Sequence, residues 1–423
     1  MSRIENGRSD LESHSSNTNS EPRGDGKKNR AQHDANALPV VLRDRMASLI
    51  AEYPPAEVDA RTFRGAQFDY GLAWVDHPEG HGGLGIAKHY QDLVDRELTA
   101  AGAPEAPLTA LIGLGMAAPV LAEHGSAAQL RRYLRPLFTC EEIWCQLFSE
   151  PGAGSDVAGL STMAVPDAEA WIINGQKVWT SVAHLARFGL LVTRSDPEAV
   201  KHKGLTYFVL DMAASGVEVR PLRQLTGDAE FNEVFLTDVR IPDDERLGAA
   251  GDGWNVVLTT LMNERAAIGQ GLSSEACLRE AVAMWNSSPY QTPVLRDRLA
   301  QLWIETECVR LANERFSAEG SVAAPGPERS VGKLAVTQLN QRIYDFCMDL
   351  LGPTAMLFDD YDADASTSTE HRADPRWKFL RSLANTIEGG TSEIMRNILA
   401  ERVLGLPAEI RVDRDRPWRA IPR

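Results

Sequence analysis

Between Cys145 and Asp244 the apolar residues of this chain change period, and that change constrains the fold more than any other feature. Before it, Leu38, Val41, Leu42, Met46, Leu49 and Ile50 recur at three- and four-residue spacing, which predicts an amphipathic helix. Tyr90, Leu93, Val94 and Leu98 repeat that style, and Pro104, Pro107, Pro119 and Pro136 punctuate it. Inside the window, Ala170 to Trp179 reads as two strands around an Asn174-Gly175 hairpin turn. Leu205 to Leu210, Val217 to Arg220 and Val234 to Leu236 read as further strands. After Gly253 the helical period returns, with Trp254, Leu258, Leu261, Ile268 and Leu272 on one face. Segments 294–319, 331–350 and 391–404 are helical too, while Ser321 to Pro327 and Asp359 to Asp374 read as loops.

The order helices, strands, helices predicts an α+β protein in three units: an N-terminal helical domain at 37–144, a middle β domain at 145–246 and a C-terminal helical domain at 247–408. Residues 1–36 are too polar to offset their ordering entropy by burial and read as a disordered tail. Residues 409–423 read as a second tail.

A chain of 423 residues with 43% hydrophobic content has room for about three such units. Its net charge of −15 gives no overall field for nucleic acid. Five cysteines, with no Cys-x-x-Cys pair, indicate neither a disulfide framework nor a zinc site, and no metal site is expected. No apolar run reaches the ~20 residues of a membrane span, and no secretory h-region opens the chain. A cytoplasmic protein without a membrane partner is the expectation.

Two glycine-hydroxyl boxes stand out. Ser149-Glu150-Pro151-Gly152-Ala153-Gly154-Ser155-Asp156 lets bare backbone approach a ligand and adds hydroxyl donors, although a strand-entry turn capped by Asp156 would look the same. Ile387-Glu388-Gly389-Gly390-Thr391-Ser392-Glu393-Ile394 lies between helical segments and offers N–H groups and small donors to a planar or anionic ligand. Trp179-Thr180-Ser181 suits the face and edge of a polar aromatic ring, or else places a core indole. Gly80-His81-Gly82-Gly83-Leu84-Gly85 matches G-x-G-x-x-G but lacks a βαβ setting, so it reads as a glycine turn. Glu264-Arg265 interrupts an apolar helix; a charged pair there is either a structural ion pair or a functional one.

Taken together, these motifs resemble the acyl-CoA dehydrogenase flavoprotein family over residues 38–407. The likeness rests on the Ser149–Asp156 box, Asn174 to Ser181, Phe231-Asn232-Glu233-Val234 through Val239-Arg240-Ile241-Pro242, Gly390 to Asn397 and Leu404-Gly405-Leu406-Pro407. It implies the family's three-domain fold, with a β-barrel-like middle domain and a C-terminal helical bundle. It also implies FAD and an acyl-CoA thioester. By resemblance, Gln146, Phe148, Ser149, Gly154 and Ser155 line the flavin, with Ser155 also touching CoA. Trp179, Thr180 and Ser181 meet the isoalloxazine ring, while Thr391, Ser392 and Glu393 hold FAD from the C-terminal side. Arg265 and Gly390 fall on the substrate side. An Arg-x-x-Phe-Gly segment that reaches a neighbouring subunit's FAD has no counterpart near Trp285 to Thr292, and Asp349 replaces a frequent glutamine.

The implied reaction is α,β-dehydrogenation to the 2-enoyl-CoA: a glutamate removes the α-proton and the β-hydride passes to flavin N5. Many members carry that glutamate immediately before Gly-Thr, where this chain has Gly389. Glu388 is one residue earlier, and one residue turns a side chain by roughly 100° on a helix. Other members, resembling isovaleryl-CoA and long-chain acyl-CoA dehydrogenases, place the base on the helix after the β domain. Glu264 occupies that site here and is the expected base, with Glu388 the alternative. The resemblance further implies an oligomer, homomeric (dimer or tetramer) or heteromeric, and an electron-transfer flavoprotein as acceptor. Two other functions stay open: an oxygen-using flavoenzyme, monooxygenase or nitroalkane-oxidase-like, and a base-deficient subunit of a hetero-oligomeric dehydrogenase.

Overall fold

The computed structural model describes residues 25–271, 273–319, 327, 329–357, 372–410, 413 and 415–421. Residues 1–24 of the expected tail, and nearly all of the expected loops at 321–327 and 359–374, lie outside the described residues.

The N-terminal unit holds α1 (Asp25–Glu52), α2 (Ala60–Asp69), α3 (Gln91–Ala100), α4 (Ala118–His124) and α5 (Ala127–Phe138). α1 starts inside the segment expected to be a tail: Lys27, Lys28, Arg30, Ala31 and Gln32 are polar overall yet good helix formers. Asp59 caps α2 through the Arg61 and Thr62 amides, both at 3.0 Å, and Ser126 with Gln129 forms a capping box on α5. Leu42, Met46 and Leu49 of α1 pack with Phe63 of α2 and Val94 and Leu98 of α3. The Gly80–Gly85 stretch is a turn flanked by no strand, in which Ala73 and Trp74 both donate to the Gly82 carbonyl.

The middle unit is one eight-stranded sheet: β1 (Trp144–Leu147), β2 (Met163–Asp167), β3 (Ala170–Ser181), β4 (Phe188–Arg194), β5 (Leu205–Asp211), β6 (Val217–Leu222), β7 (Phe231–Pro242) and β8 (Arg246–Leu247). The arm β6-β7-β3-β2 meets the arm β1-β4-β5-β8 through a single pair, Met163 with Arg194. No pairing among the described residues joins β6 to β8, so the barrel-like sheet is open. Alternate residues of β4 and β5 feed two cores. Leu190, Val192, Tyr207 and Val209 face the helices; Leu191, Phe208 and Leu210 face the sheet interior.

Asn174-Gly175 does not make the expected hairpin turn. β3 runs through it without a break, and its pairing with β7 shifts register between Ile173 and Gly175. Asn174 is engaged across the sheet: its amide oxygen accepts from the Asp238 N–H at 2.9 Å and its amide nitrogen donates to Asp238 Oδ1 at 3.0 Å. A Cβ at Gly175 would lie 2.3 Å from Thr162 Oγ1, so close approach of β2 requires the glycine. The β2–β3 turn falls instead at Ala168-Glu169, with Ala168 at φ +54°.

The C-terminal unit comprises α6 (Gly253–Gly271), α7 (Ser274–Ser287), α8 (Pro293–Glu319), α9 (Arg329–Leu351), α10 (Pro375–Ser382) and α11 (Ser392–Ile398). Leu278, Ala281, Leu302, Leu339, Ile343, Phe346 and Leu350 form its core. The buried face of α6 is broader than the expected stripe: Trp254 and Leu261 pack against the core as expected and Val256, Val257 and Thr260 are buried beside them, whereas Leu258 is 39% exposed and the side chains of Ile268 and Leu272 lie outside the described residues. β5 selects that face, since Tyr207 Oη and Thr260 Oγ1 lie 3.0 Å apart. Asp349, the departure noted above, pairs with Arg298. The second expected tail is docked on the β domain in its described part. There the Trp418 amide donates to the Ala199 carbonyl at 2.9 Å and Arg194 lies over the indole ring at 4.5 Å.

Candidate active site

The first glycine box is anchored by a buried ion pair. Lys177 on β3 is wholly buried; its ammonium donates to Glu150 Oε1 at 2.9 Å and to the Phe148 carbonyl at 3.1 Å. Glu150 also accepts from the Ser161 and Thr162 amides at 2.6 and 2.9 Å. Burial pushes the Glu150 carboxyl up, but the Lys177 charge and these donors outweigh it and leave it below its ordinary value. Beyond that anchor Gly154 and Ser155 are exposed, and a Cβ at Gly152 or Gly154 would meet nothing within 4 Å. Packing therefore does not demand those glycines; they leave the backbone bare. Ser149 is half-buried, and the Phe148 ring turns into the core against Tyr207.

The end of β3 lies beside this box, tied by the Val178 amide to the Ser149 carbonyl at 2.9 Å. A second register shift, between Lys177 and Thr180, turns Trp179 outward at φ +59°. The indole is 61% exposed and makes a T-shaped contact with Phe231, ring centroids 6.1 Å apart, an unusual place for so large an apolar ring. Thr180 Oγ1 is buried with no partner among the described residues, and so is Asn232 Oδ1 on the facing strand. Ser181 is half-buried beside them.

The glycine loop before α11 has Gly389 and Gly390 at φ +64° and +97°. Thr391 caps α11 through the Ile394 amide at 3.2 Å, and the buried Ser392 hydroxyl has no partner among the described residues. Glu393 points outward, 3.4 Å from Arg396. Glu388 is gripped by Arg381 at 3.1 and 2.9 Å. That guanidinium also lies 3.7 Å from Glu230 and stacks over Phe231. Through Phe231 and Arg381 the structure brings Trp179 and the glycine loop together, although some two hundred residues separate them in the chain.

Glu264 follows Thr260 by one turn on the buried face of α6 and is half-buried. The Gln146 amide on β1 donates to Glu264 Oε2 at 3.3 Å, joining the two units. The Arg265 side chain lies outside the described residues.

The exposed indole and the unpartnered hydroxyls of Thr180 and Ser392 fit a large aromatic ring with polar edges, as FAD has. No group of His, Cys, Asp or Glu suited to a metal ion occurs among the described residues. Asn232 and Arg381 do not stand out as site residues in the sequence. Phe231-Asn232 lies within one of the motifs above, whereas nothing local marks Arg381, which bridges Glu388, seven residues on, to the distant Glu230.

Family models for the acyl-CoA dehydrogenase N-terminal, middle and C-terminal domains match residues 40–141, 145–239 and 251–404. The acyl-CoA dehydrogenase FadE34 of Mycobacterium tuberculosis is 39% identical over 86% of this chain, which spans about half (49%) of that protein's length. The acyl-CoA dehydrogenase IpdE1 of the same organism is 36% identical over 80% of this chain and 86% of its own. The ChsE4–ChsE5 complex of Mycobacterium tuberculosis superposes with a TM-score of 0.66 at 26% identity, covering 88% of this chain and 98% of that one. The chain belongs to the acyl-CoA dehydrogenase family, whose members are oxidoreductases.

Proposed function

We propose that the chain is an FAD-dependent acyl-CoA dehydrogenase in which Glu264 removes the α-proton of the thioester. One observation carries the assignment of the base: Gln146 orients the Glu264 carboxylate at the junction of β1 and α6, while the position before Gly390-Thr391 is the side-chain-free Gly389. Bound FAD would supply the acceptor for the β-hydride. Trp179, Thr180, Ser181, Thr391 and Ser392 would hold it, with Gln146, Ser149, Gly154 and Ser155 along the first box. Ser155, Arg265 and Gly390 belong to the substrate side of this reading. The ion pair with Arg381 weighs against Glu388, the alternative base: proton transfer from substrate would have to compete with a cation already holding both carboxylate oxygens.

The test is anaerobic flavin reduction by a panel of acyl-CoA thioesters. Wild type bleaches; Glu264→Gln slows the step by at least ~100-fold, the usual share of a general base. Near wild-type reduction in Glu264→Gln would sink the assignment. The vacancy at Gly389 favours a branched or bulky acyl group, and a preference for short straight chains in the same panel would oppose that. We read the chain as an oligomer that passes electrons to an electron-transfer flavoprotein. The ChsE4–ChsE5 likeness supports pairing with a related subunit as well as with a second copy. Co-purification with a second acyl-CoA dehydrogenase chain, against a homomeric mass, decides between them.

A further inference from the structure

Lys333 sits on α9 one turn ahead of the buried residues Val336 and Thr337, at a core-facing position, and is 7% exposed. A buried ammonium is costly unless its donors are satisfied. Two of its three go to main-chain carbonyls, that of Asn385 at 3.0 Å and that of Gly390 at 2.6 Å. Those carbonyls are the two ends of one loop, Asn385-Thr386-Ile387-Glu388-Gly389-Gly390. A single ammonium thus closes the loop at both ends.

The loop needs such a clip. Gly389 and Gly390 are adjacent and both left-handed, the residue pair with the most backbone freedom to lose. Arg381 fixes the middle of the loop through Glu388. Gln341 fixes the turn before it, donating to the Ser382 carbonyl at 3.0 Å and to Thr386 Oγ1 at 3.2 Å. Neither reaches the Gly390 carbonyl. Immediately after that carbonyl come Thr391, which caps α11, and Ser392, whose buried hydroxyl has no partner among the described residues. Burial lowers the Lys333 ammonium from its ordinary value, while the carboxylates of Glu388 and Glu264 act in the opposite sense.

We propose that Lys333 is a positioning residue: by clipping Asn385 and Gly390 together it sets the direction in which Thr391 and Ser392 face the bound flavin. This rests on the FAD reading given above. Lys333→Met keeps the length and apolar stem but removes every donor; Lys333→Arg keeps the charge in a larger, planar group. FAD affinity, the visible spectrum of bound flavin, and kcat and KM for the acyl-CoA are measured on the full chain, with far-UV circular dichroism as the fold control. Lys333→Met is expected to weaken FAD binding about tenfold, the loss of one charge-assisted hydrogen bond. At saturating FAD its flavin spectrum stays shifted and kcat stays low, while KM changes little; Lys333→Arg recovers part of both. A purely structural lysine would change thermal stability and leave the spectrum of saturated flavin alone, and that result overturns the proposal. If Lys333→Met does not fold, Lys333→Arg decides: a wild-type flavin spectrum and kcat overturn the proposal, and a shifted spectrum upholds it. A wild-type chain that takes up no FAD overturns the FAD reading and this proposal together, whereas a flavin-loaded wild type with unaltered variants overturns this proposal alone.

Discussion

Arg381 holds Glu388 through both terminal nitrogens, at 3.1 and 2.9 Å, with each side chain about three-quarters buried. The carboxylate nearest the family's frequent base position is therefore held in an ion pair. Its neighbour Glu230, 3.7 Å from Arg381, stands at the foot of β7. The pair thus couples the glycine loop to the strand that carries Phe231 and Asn232.

Replacing Glu388 by Gln is expected to cost stability rather than chemistry. A pair that is about three-quarters buried lies between the surface and buried limits, so the loss should be ~1–3 kcal/mol. Anaerobic flavin reduction should stay within about tenfold of wild type, since no general-base step is removed. Urea midpoints and stopped-flow reduction of the same variant give both numbers. A collapse of reduction with stability intact would return Glu388 to the role of base.

The buried Lys177–Glu150 pair predicts a different pattern. Lys177→Met leaves Glu150 with its two amide donors but no cation, and breaking such a pair costs ~3–5 kcal/mol. The double variant Lys177→Met, Glu150→Leu removes the stranded charge and should recover part of that loss, although Ser161 and Thr162 then lose an acceptor. Chemical denaturation of the two singles and the double closes the cycle. A neutral Lys177→Met would mean that the pair does not anchor the Ser149–Asp156 box.

Much of this architecture could be read from the chain, because domain order follows from hydrophobic period and the period is local. What could not be read depends on partners distant in sequence. Asn174-Gly175 carries the strongest short hairpin signal, yet Asp238 captures the asparagine and Thr162 crowds the glycine. On α6 Leu258 turns outward although Trp254 and Leu261 of the same stripe pack inward, because Tyr207 on β5 rewards Thr260 with a hydrogen bond that no periodicity shows. Glu264 stands out in sequence as an odd charge in an apolar helix, which by itself fits a structural ion pair as well as the proposed base. The burial of Lys333 is not legible either, because a lone lysine in a helix looks like a solvated one.

Asp243 gives an acid-side expectation. Hydrogen bonds from Arg246 and Trp171 hold its carboxyl down from 3.8 to about 2. With the folded value depressed, its stabilising contribution is complete above 3.8 and is lost as pH falls towards about 2. Solvent exposure of the pair keeps the contribution small. Asp243→Asn should therefore be less stable than wild type at neutral pH, and the difference should shrink below pH 3.8. Urea midpoints at a series of pH values measure it; a constant difference across that window would reject the linkage.

Gln146 offers the sharpest test of how Glu264 is held. Its amide is donor to Glu264 Oε2 at 3.3 Å, a long bond that orients more than it stabilises. Gln146→Leu keeps a side chain of similar volume on β1 and removes the donor. A carboxylate freed from that donor can rotate away from the reacting carbon, and misplacement of a catalytic group by about 1 Å can cost up to ~100-fold. Reduction should slow by roughly tenfold, less than in Glu264→Gln, and the double variant should be no slower than Glu264→Gln alone because both act on one proton transfer. Additive effects in the double variant would separate the two residues, leaving Gln146 to act on the flavin side and not through the base.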